Sequence, residues 1–143
     1  LASIIVIALA GCSGDVLRDL ANPGEFALYG ISNDTMNPQV IQFEEGATIK
    51  IGSAGSAGDK ELTIRNLSDQ GVLKLTGSPR IAFSGTIASL LSVGQPPAGS
   101  VDPEGQTTFT VLYAGGDIGQ TAQMIIETND PDQEEFVIVM QSN

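Results

Sequence analysis

The feature that most constrains the fold is a series of short runs in which apolar and polar residues alternate, separated by turn-forming residues. Ten runs show it: EFALYGI, QVIQF, ATIKI, KELTIRN, VLKLT, RIAFS, SLLSV, QTTFTVLY, TAQMIIET and EFVIVM. Alternation of this kind is typical of half-buried β-strands. The intervening segments are GSAGSAGD, LSDQG, GQPPAGSVDPEG, AGGDIG and NDPDQE, which are rich in turn residues. Strands spaced by roughly 8 to 12 residues indicate an all-β sandwich or barrel.

The alternation also predicts which side chains form the core. In KELTIRN, Leu62 and Ile64 point to one face, whereas Glu61, Thr63 and Arg65 point to the other. The same reasoning places further rows in the core: Phe109, Val111 and Tyr113; Ala122, Met124 and Ile126; Phe136, Ile138 and Met140. Burying these rows requires a second sheet. We therefore predict an antiparallel β-sandwich of about seven to nine strands.

The N-terminal stretch LASIIVIALAGCSG places eleven uncharged, mostly apolar residues before a single cysteine. A membrane-spanning helix needs roughly 20 such residues, so the run suits the apolar region of a signal peptide better. Its end, Leu9, Ala10, Gly11 and Cys12, resembles the lipobox of bacterial lipoproteins. The resemblance implies cleavage before Cys12 and acylation of its thiol. Each buried methylene of such a chain adds about 0.8 kcal/mol of membrane affinity.

This interpretation divides the chain into three parts. Residues 1–11 are the signal peptide, without the usual basic n-region; 12–23 are the lipidated cysteine and a tether; 24–143 are the folded domain. The alternative is a buried strand or helix that ends in a free cysteine. Because Cys12 is the only cysteine, its use as an anchor leaves none for a disulfide or a metal. By resemblance to bacterial sorting signals, Ser13 after the cysteine favours the outer membrane.

The charge distribution argues against one class of partner. The chain has 17 acidic and 6 basic residues, a net charge of −11, and its last basic residue is Arg80. Phosphate backbones are bound by clustered lysine and arginine, which this chain does not supply. We therefore expect no nucleic-acid partner. An acidic surface also repels anionic headgroups, so membrane attachment would depend on the lipid.

From KELTIRN onwards the runs follow a recognisable order. LTIRN, LKLTG, IAFSGT, QPPAGSVDPEGQTTFTVLY, IGQTAQMIIETNDPD and FVIVM together resemble the bacterial choice-of-anchor D domain. That family is immunoglobulin-like and related to the ASPM, SPD-2, Hydin and major sperm protein group. The resemblance covers about residues 24–141 and implies an immunoglobulin-like sandwich.

Two departures from the family pattern affect this interpretation. Family members usually occur as repeats ending in a Gly-x-Gly linker, whereas this chain has one copy that stops at QSN. It also has its apparent lipid anchor at the N-terminus rather than a C-terminal sorting tail. These departures favour a small free-standing lipoprotein, or a sequence truncated at its C-terminus.

The stretch IETNDPDQEE places five acidic residues between Glu127 and Glu135 and permits two interpretations. Pro131 after Asp130 is typical of a turn, which predicts a hairpin joining the last two strands. Carboxylate and amide oxygens are also calcium ligands, but the stretch lacks the glycine and acidic spacing of an EF-hand loop. We predict the hairpin, and the weak calcium candidates are Asn129, Asp130, Asp132 and Glu134.

Motifs for catalysis are scarce. The chain has no histidine, so the usual general base of a nucleophilic triad and the usual zinc ligands are missing. The acid pairs Glu44/Glu45 and Asp102/Glu104 are more typical of solvated turns than of a glycosidase. GSAGSAGD is not followed by the lysine-serine or lysine-threonine pair of a phosphate-binding loop, or by a predicted helix, so we predict a flexible loop. We expect no enzyme activity and no cofactor beyond the covalent lipid on Cys12.

These observations predict an exported, lipid-anchored module at the cell envelope with a structural, adhesive or protein-binding role. Its partners would be the membrane, through the lipid, and another envelope or extracellular protein or glycan. Contact would come from loops 52–59 and 94–105 or from an exposed edge strand. One alternative is a periplasmic or outer-membrane assembly accessory, or a pilus-like subunit, that works by strand pairing. Another is a weak calcium-dependent carbohydrate-binding module.

Overall fold

A computed structural model of the chain describes residues 23–143. Its regular structure is β-strand, apart from one 3₁₀ turn at Ala88–Leu90. The strands are β1 (Phe26–Ile31), β2 (Val40–Phe43), β3 (Thr48–Ile51), β4 (Gly58–Asn66), β5 (Leu73–Lys74), β6 (Ile81–Gly85), β7 (Leu91–Gln95), β8 (Ser100–Val101), β9 (Gln106–Tyr113), β10 (Thr121–Glu127) and β11 (Glu135–Ser142).

The strands form two packed sheets and one short ladder. The first sheet has the order β2-β1-β4-β9-β7, the second has the order β3-β11-β10-β6, and β5 pairs with β8. The all-β sandwich predicted from the sequence is therefore confirmed, with five strands in the first sheet and four in the second. Among residues 23–143, the edge strands are β2 and β7 in the first sheet, and β3 and β6 in the second.

One strand pair differs from the antiparallel prediction. β3 runs parallel to β11, with Thr48 opposite Val139 and Ile51 opposite Ser142. The physical reason is the path of the chain after β2. A turn in which the Ala47 N–H donates to the Glu44 carbonyl oxygen leads the chain from the first sheet to the second. β3 pairs with β11, which is far from it in the sequence, so no hairpin joins the two strands. Only a hairpin connection would require them to run antiparallel.

The core lies between the two sheets, and the predicted faces are confirmed. Leu62 and Ile64 are fully buried, and the other predicted core rows are buried as well. Phe26 of β1 and Phe136 of β11 join the sheets at one end, with ring centroids 4.8 Å apart and planes inclined by 49°. Such tilted aromatic contacts add to the stabilisation from buried area.

Two local assignments from the sequence differ from the structure. The run SLLSV becomes a strand only from Leu91, because Ala88–Leu90 form the 3₁₀ turn. Ser100–Val101, which the sequence analysis placed in a loop, pair with β5. Val101 is buried, so this short strand extends the core beyond the two larger sheets.

Candidate functional site

The acidic cluster between Glu127 and Glu135 lies in the connection from β10 to β11. These strands pair antiparallel from Thr121 opposite Gln141 to Glu127 opposite Glu135, which confirms the predicted hairpin. Within the connection the Gln133 N–H donates to the Asp130 carbonyl oxygen at 3.0 Å. Pro131 therefore occupies the second position of a β-turn, which its fixed φ favours.

Asp130 is the most buried acidic residue of this connection, with 3% of its surface exposed. One carboxylate oxygen accepts the backbone N–H of Phe26 at 2.8 Å, and the other accepts the N–H of Asp132 at 2.9 Å. The Thr128 hydroxyl accepts the Asp130 N–H and donates to the Gln133 carbonyl oxygen. Both oxygens of Asp130 are thus hydrogen-bonded within the fold.

Asn129 makes a second connection, to β5. Its side-chain oxygen accepts the Lys74 N–H at 2.9 Å, and its amide donates to the Val72 carbonyl oxygen at 3.1 Å. The Asn129 N–H also donates to the Lys74 carbonyl oxygen. The side chain therefore behaves like one more residue of a β-ladder and ties the last hairpin to the β5–β8 ladder.

These contacts describe what the four calcium candidates do in the structure. The side-chain oxygens of Asn129 and Asp130 accept backbone N–H groups, whereas Asp132 and Glu134 are exposed. Within residues 23–143, no group of three or more histidine, cysteine or acidic residues is arranged to hold a metal ion. The geometry brings the cluster together as a structural connection between the first strand, β5 and the last hairpin.

Asn66, at the end of β4, is a second buried polar residue and is 1% exposed. Its side-chain oxygen accepts the N–H groups of Glu25 and Ser68, both at 3.0 Å. Its amide donates to the carbonyl oxygens of Gly71, Val101 and Asp102 at 2.7, 3.0 and 3.3 Å. One side chain thus joins three segments of backbone, which satisfies its full hydrogen-bonding capacity.

A cleft of about 370 Å³ opens between the start of β6 and the end of β7. Its walls include Pro79, Ile81, Val93 and Pro96, and its charged group is Arg80. The Arg80 guanidinium donates to the Pro97 carbonyl oxygen at 3.1 Å. A guanidinium held in this way stabilises the loop after β7.

The edge of the first sheet at β2 presents apolar side chains to solvent. Val40 is 70% exposed and Ile31, its neighbour on β1, is 43% exposed. A groove of about 290 Å³ runs beside them, lined also by Tyr29 and Lys60. Burial lowers the pKa of Lys60 from its ordinary value of 10.5. The groove therefore combines the exposed apolar side chains of Val40 and Ile31 with a partly buried lysine.

The two loops predicted to contact partners are held by the rest of the domain. In loop 52–59, the Gly55 N–H donates to the Asn143 carbonyl oxygen, and the Gly55 carbonyl oxygen accepts the Gly116 N–H. Gly52 has a φ of +82°, and a side chain there would lie 2.8 Å from the Tyr113 ring. In loop 94–105, β8 pairs with β5. Both loops are thus bonded to other parts of the domain, including residues 52–59, where the sequence predicts a flexible loop.

The acid pairs considered for catalysis lie in turns. Glu44 and Glu45 are exposed in the turn between β2 and β3, and Asp102 and Glu104 are exposed between β8 and β9. The Gly105 N–H donates to the Asp102 carbonyl oxygen at 2.9 Å, which closes that turn. Neither pair lines the cleft beside Arg80 or the groove beside Lys60.

Sequence reasoning missed the buried asparagine Asn66 and the edge residue Asn33. Asn66 had one recognisable signal, because an asparagine at the end of a strand, two residues before the turn sequence Ser-Asp-Gln-Gly, is typical of a side chain that bonds turn backbone. Asn33 had no comparable signal. Its partners in β3 lie 15 and 17 residues away along the chain.

The lipidation candidate Cys12 and the lipobox residues Leu9, Ala10 and Gly11 lie outside the described residues 23–143. In the described residues, no helix is long and apolar enough to cross a membrane.

No protein-family model matches this chain, and a search of curated proteins gives no match.

Proposed function

We propose that this chain is an exported, lipid-anchored β-sandwich module with a structural, adhesive or protein-binding role at the cell envelope, without catalysis. The observation that best supports a binding role is the edge of the first sheet at β2, beside which no other strand of residues 23–143 lies. There β2 ends the strand order, and Val40 and Ile31 expose large parts of their apolar side chains. An unpaired edge offers backbone donors and acceptors to an extended segment of a partner.

The proposed location is supported by the N-terminal sequence. Leu9, Ala10, Gly11 and Cys12 have the pattern of a lipobox after an apolar run of signal-peptide length. Acyl chains on Cys12 would hold the sandwich at the membrane, and residues 12–23 would set its reach. Ser13 supports the outer membrane as the destination.

The test of the anchor is intact mass and membrane fractionation in a bacterial host. The full chain, with a start methionine and basic residues placed before Leu1, would be compared with its Cys12→Ala variant. We expect the first protein to be cut before Cys12, to gain the mass of its acyl chains and to pellet with membranes. The variant should lose all three properties. An unmodified Cys12 with residues 1–11 retained would contradict the anchor.

A second candidate function, assembly by strand pairing as in a pilus-like subunit, is favoured by the same open edge. It can be tested in cells with a photocrosslinking amino acid at Val40, and with the same group at Gln123 as the control. Gln123 is exposed in the middle of the second sheet, where both neighbouring strands are already in place. We expect adducts from position 40 and few from position 123. Equal labelling at both positions would contradict binding at the edge.

A further inference from the structure

The backbone groups that β2 presents outward follow from its pairing with β1. The Ser32 N–H donates to the Gln39 carbonyl oxygen at 2.7 Å, so residue 39 points its backbone groups at β1. In an antiparallel pair these directions alternate along the strand. Ile41 therefore also points its backbone groups at β1, opposite Gly30. Val40 and Gln42 present their N–H and carbonyl groups to the other side of β2, where no strand of residues 23–143 lies.

Two other edges of the sandwich are protected in ways that this edge is not. At β3 the side chain of Asn33 donates to the Thr48 carbonyl oxygen at 2.7 Å and accepts the Lys50 N–H at 2.9 Å. An amide side chain thus occupies the place where another strand would pair. At β7 the register shifts between Thr110 and Val111 of the neighbouring strand. Irregularities of this kind discourage edge-to-edge pairing.

The side chains of β2 are suited to a contact that excludes water. The strand Val40–Phe43 contains no charged residue, although the chain has a net charge of −11. Val40 is 70% exposed and lies beside Ile31, which is 43% exposed, on one face of the sheet, whereas Ile41, which is 36% exposed, points to the opposite face. Exposed apolar side chains along an edge strand are a common mark of a protein-protein contact.

We propose that the partner of this edge is a second copy of the chain, bound antiparallel through β2. A two-fold axis beside Ile41 places Val40 opposite Gln42 of the second copy, and Gln42 opposite its Val40. All four residues then exchange backbone hydrogen bonds, because each presents its N–H and carbonyl groups outward. The two first sheets join into one continuous sheet. The inference rests on the proposed binding role, but it does not require the lipid anchor.

In this register, the backbone donors and acceptors at the C-terminal end of β2 match those before the N-terminal end of β2 in the second copy. The next outward pair is Glu44 with Pro38 of the second copy. Pro38 has no N–H to donate, and the Glu44 carbonyl oxygen already accepts the Ala47 N–H at 3.0 Å. The remaining donor, the Glu44 N–H, faces the Pro38 carbonyl oxygen. Each backbone donor therefore has an acceptor where the pairing ends.

Charge also favours the antiparallel arrangement of two copies. The acids next to the strand, Glu44 and Glu45, lie on its C-terminal side, whereas the N-terminal side has the uncharged Asn37, Pro38 and Gln39. An antiparallel pair sets each acid opposite an uncharged residue. A parallel pair would set Glu44 close to Glu44 of the second copy, and like charges directly opposite are destabilising.

The proposed contact between the two copies is small, so its affinity should be low. A standard stable interface buries about 1,200 Å² or more and about 20 residues on each side, whereas the strand Val40–Phe43 has 4 residues. We therefore expect a weak, reversible dimer whose fraction rises with concentration. Copies held on one membrane would meet at a higher effective concentration than copies in solution.

The first experiment measures mass in solution. The full chain with Cys12→Ala would be studied in mild detergent by sedimentation velocity over a wide range of concentrations. We expect the average mass to rise towards twice the monomer mass. Val40→Lys, which adds a hydrated charge at the edge, should raise the dissociation constant at least about tenfold. Gln123→Lys, with the same charge change on the second sheet, should leave it unchanged.

The second experiment determines the register by disulfide formation, again in the Cys12→Ala background. The proposed axis brings the two Ile41 residues opposite one another in a non-hydrogen-bonded pair, where Cα atoms lie about 4.5 Å apart. That distance permits a disulfide. Ile41→Cys should therefore crosslink under mild oxidation. Gln42→Cys should not, because each introduced thiol would face Val40 of the second copy rather than the other thiol.

The outcomes separate this inference from the proposed function. A monomer at every concentration, a dimer unaffected by Val40→Lys, or a crosslink in the Gln42→Cys variant in place of the Ile41→Cys variant would each overturn the second-copy proposal. Adducts from position 40 that contain only other proteins would also overturn it, while leaving the binding role supported. Failure of Cys12 acylation would contradict the anchor and leave the dimer experiment unaffected.

Discussion

The carboxylate of Asp130 accepts the backbone N–H of Phe26 at 2.8 Å, across 104 residues of sequence. Phe26 begins β1, and Asp130 lies in the connection between the last two strands. The bond therefore joins the two ends of the described domain. The Phe26 ring packs on Phe136 of β11 at the same place, so a polar and an apolar contact support one another. Asp130, which its sequence context made a calcium candidate, therefore connects the first strand to the last hairpin.

Replacing Asp130 should destabilise the domain. Asp130→Ala removes the acceptor of a buried N–H, which should lower the free energy of unfolding by about 3 kcal/mol, and Asp130→Asn by about half of that. Urea unfolding followed by circular dichroism measures both. Asp132→Asn, at an exposed position of the same turn, is the control and should change stability by less than about 0.5 kcal/mol. Equal effects at the two positions would show that the buried bond is unimportant.

Asn66 should tolerate no change of side-chain chemistry. Asn66→Ala leaves three carbonyl oxygens and two N–H groups without their partner, at an expected cost of about 3 kcal/mol. Asn66→Asp keeps the acceptor but turns a carboxylate oxygen towards the three carbonyl oxygens. It should therefore cost at least as much. The comparison is made by urea unfolding at neutral pH. If Asn66→Asp had wild-type stability, the amide donors would have no structural role.

The core and most strand positions could be predicted because alternation is a local signal. The period of two decides which side chains share a face, so Leu62 and Ile64 could be assigned without knowledge of their neighbours. The structure buries both, together with Phe109 in the same sheet and Met124 in the facing one. Local turn chemistry similarly identified the hairpin at Pro131.

The features that could not be predicted depend on residues far apart in the sequence. Thr48 pairs with Val139, and nothing in the sequence near either residue indicates a parallel partner. The two-residue strand Ser100–Val101 is too short to show alternation. The acidic cluster has a composition shared by turns and calcium loops. The folded positions of the Phe26 and Asp132 N–H groups show what the Asp130 carboxylate binds.

Asn33 should protect the edge at β3. Its amide bonds the Thr48 carbonyl oxygen and the Lys50 N–H, which Asn33→Ala would leave exposed. We expect a loss of about 1 kcal/mol in unfolding free energy and faster aggregation on warming, measured by light scattering. Asn37→Ala, in the same loop and exposed, is the control. Equal aggregation of the two variants would disprove the protective role.

The Tyr113 hydroxyl should order the segment after β9. It donates to the Asp117 carbonyl oxygen at 2.7 Å and accepts the Asp117 N–H at 2.9 Å. Tyr113→Phe should cost about 1.5 kcal/mol and speed hydrogen exchange at the Asp117 amide. Tyr29→Phe removes a hydroxyl whose contact with Gln42 is exposed and 3.4 Å long, so it should have little effect. Unchanged exchange at Asp117 in Tyr113→Phe would contradict this role.

Lys60 should make the stability of the domain depend on pH in the alkaline range. Burial lowers its pKa from the ordinary value of 10.5, because the folded environment disfavours the charged form. Below the folded pKa, Lys60 is charged in both states and the folded state bears the full desolvation cost. As pH rises from the folded pKa towards 10.5, the folded state releases its proton first, so the free energy of unfolding rises.

Replacing Lys60 with methionine tests this assignment, because methionine keeps the unbranched apolar stem and removes the charge. Lys60→Met should raise the urea midpoint at neutral pH and reduce the increase in stability between neutral pH and 10.5. Lys50→Met removes the same charge from an exposed position on β3, so it controls for the change in net charge. If both variants shifted the midpoint equally and kept the same pH dependence, the change in net charge would account for the shift. Desolvation of Lys60 would then be ruled out as the cause of the alkaline increase.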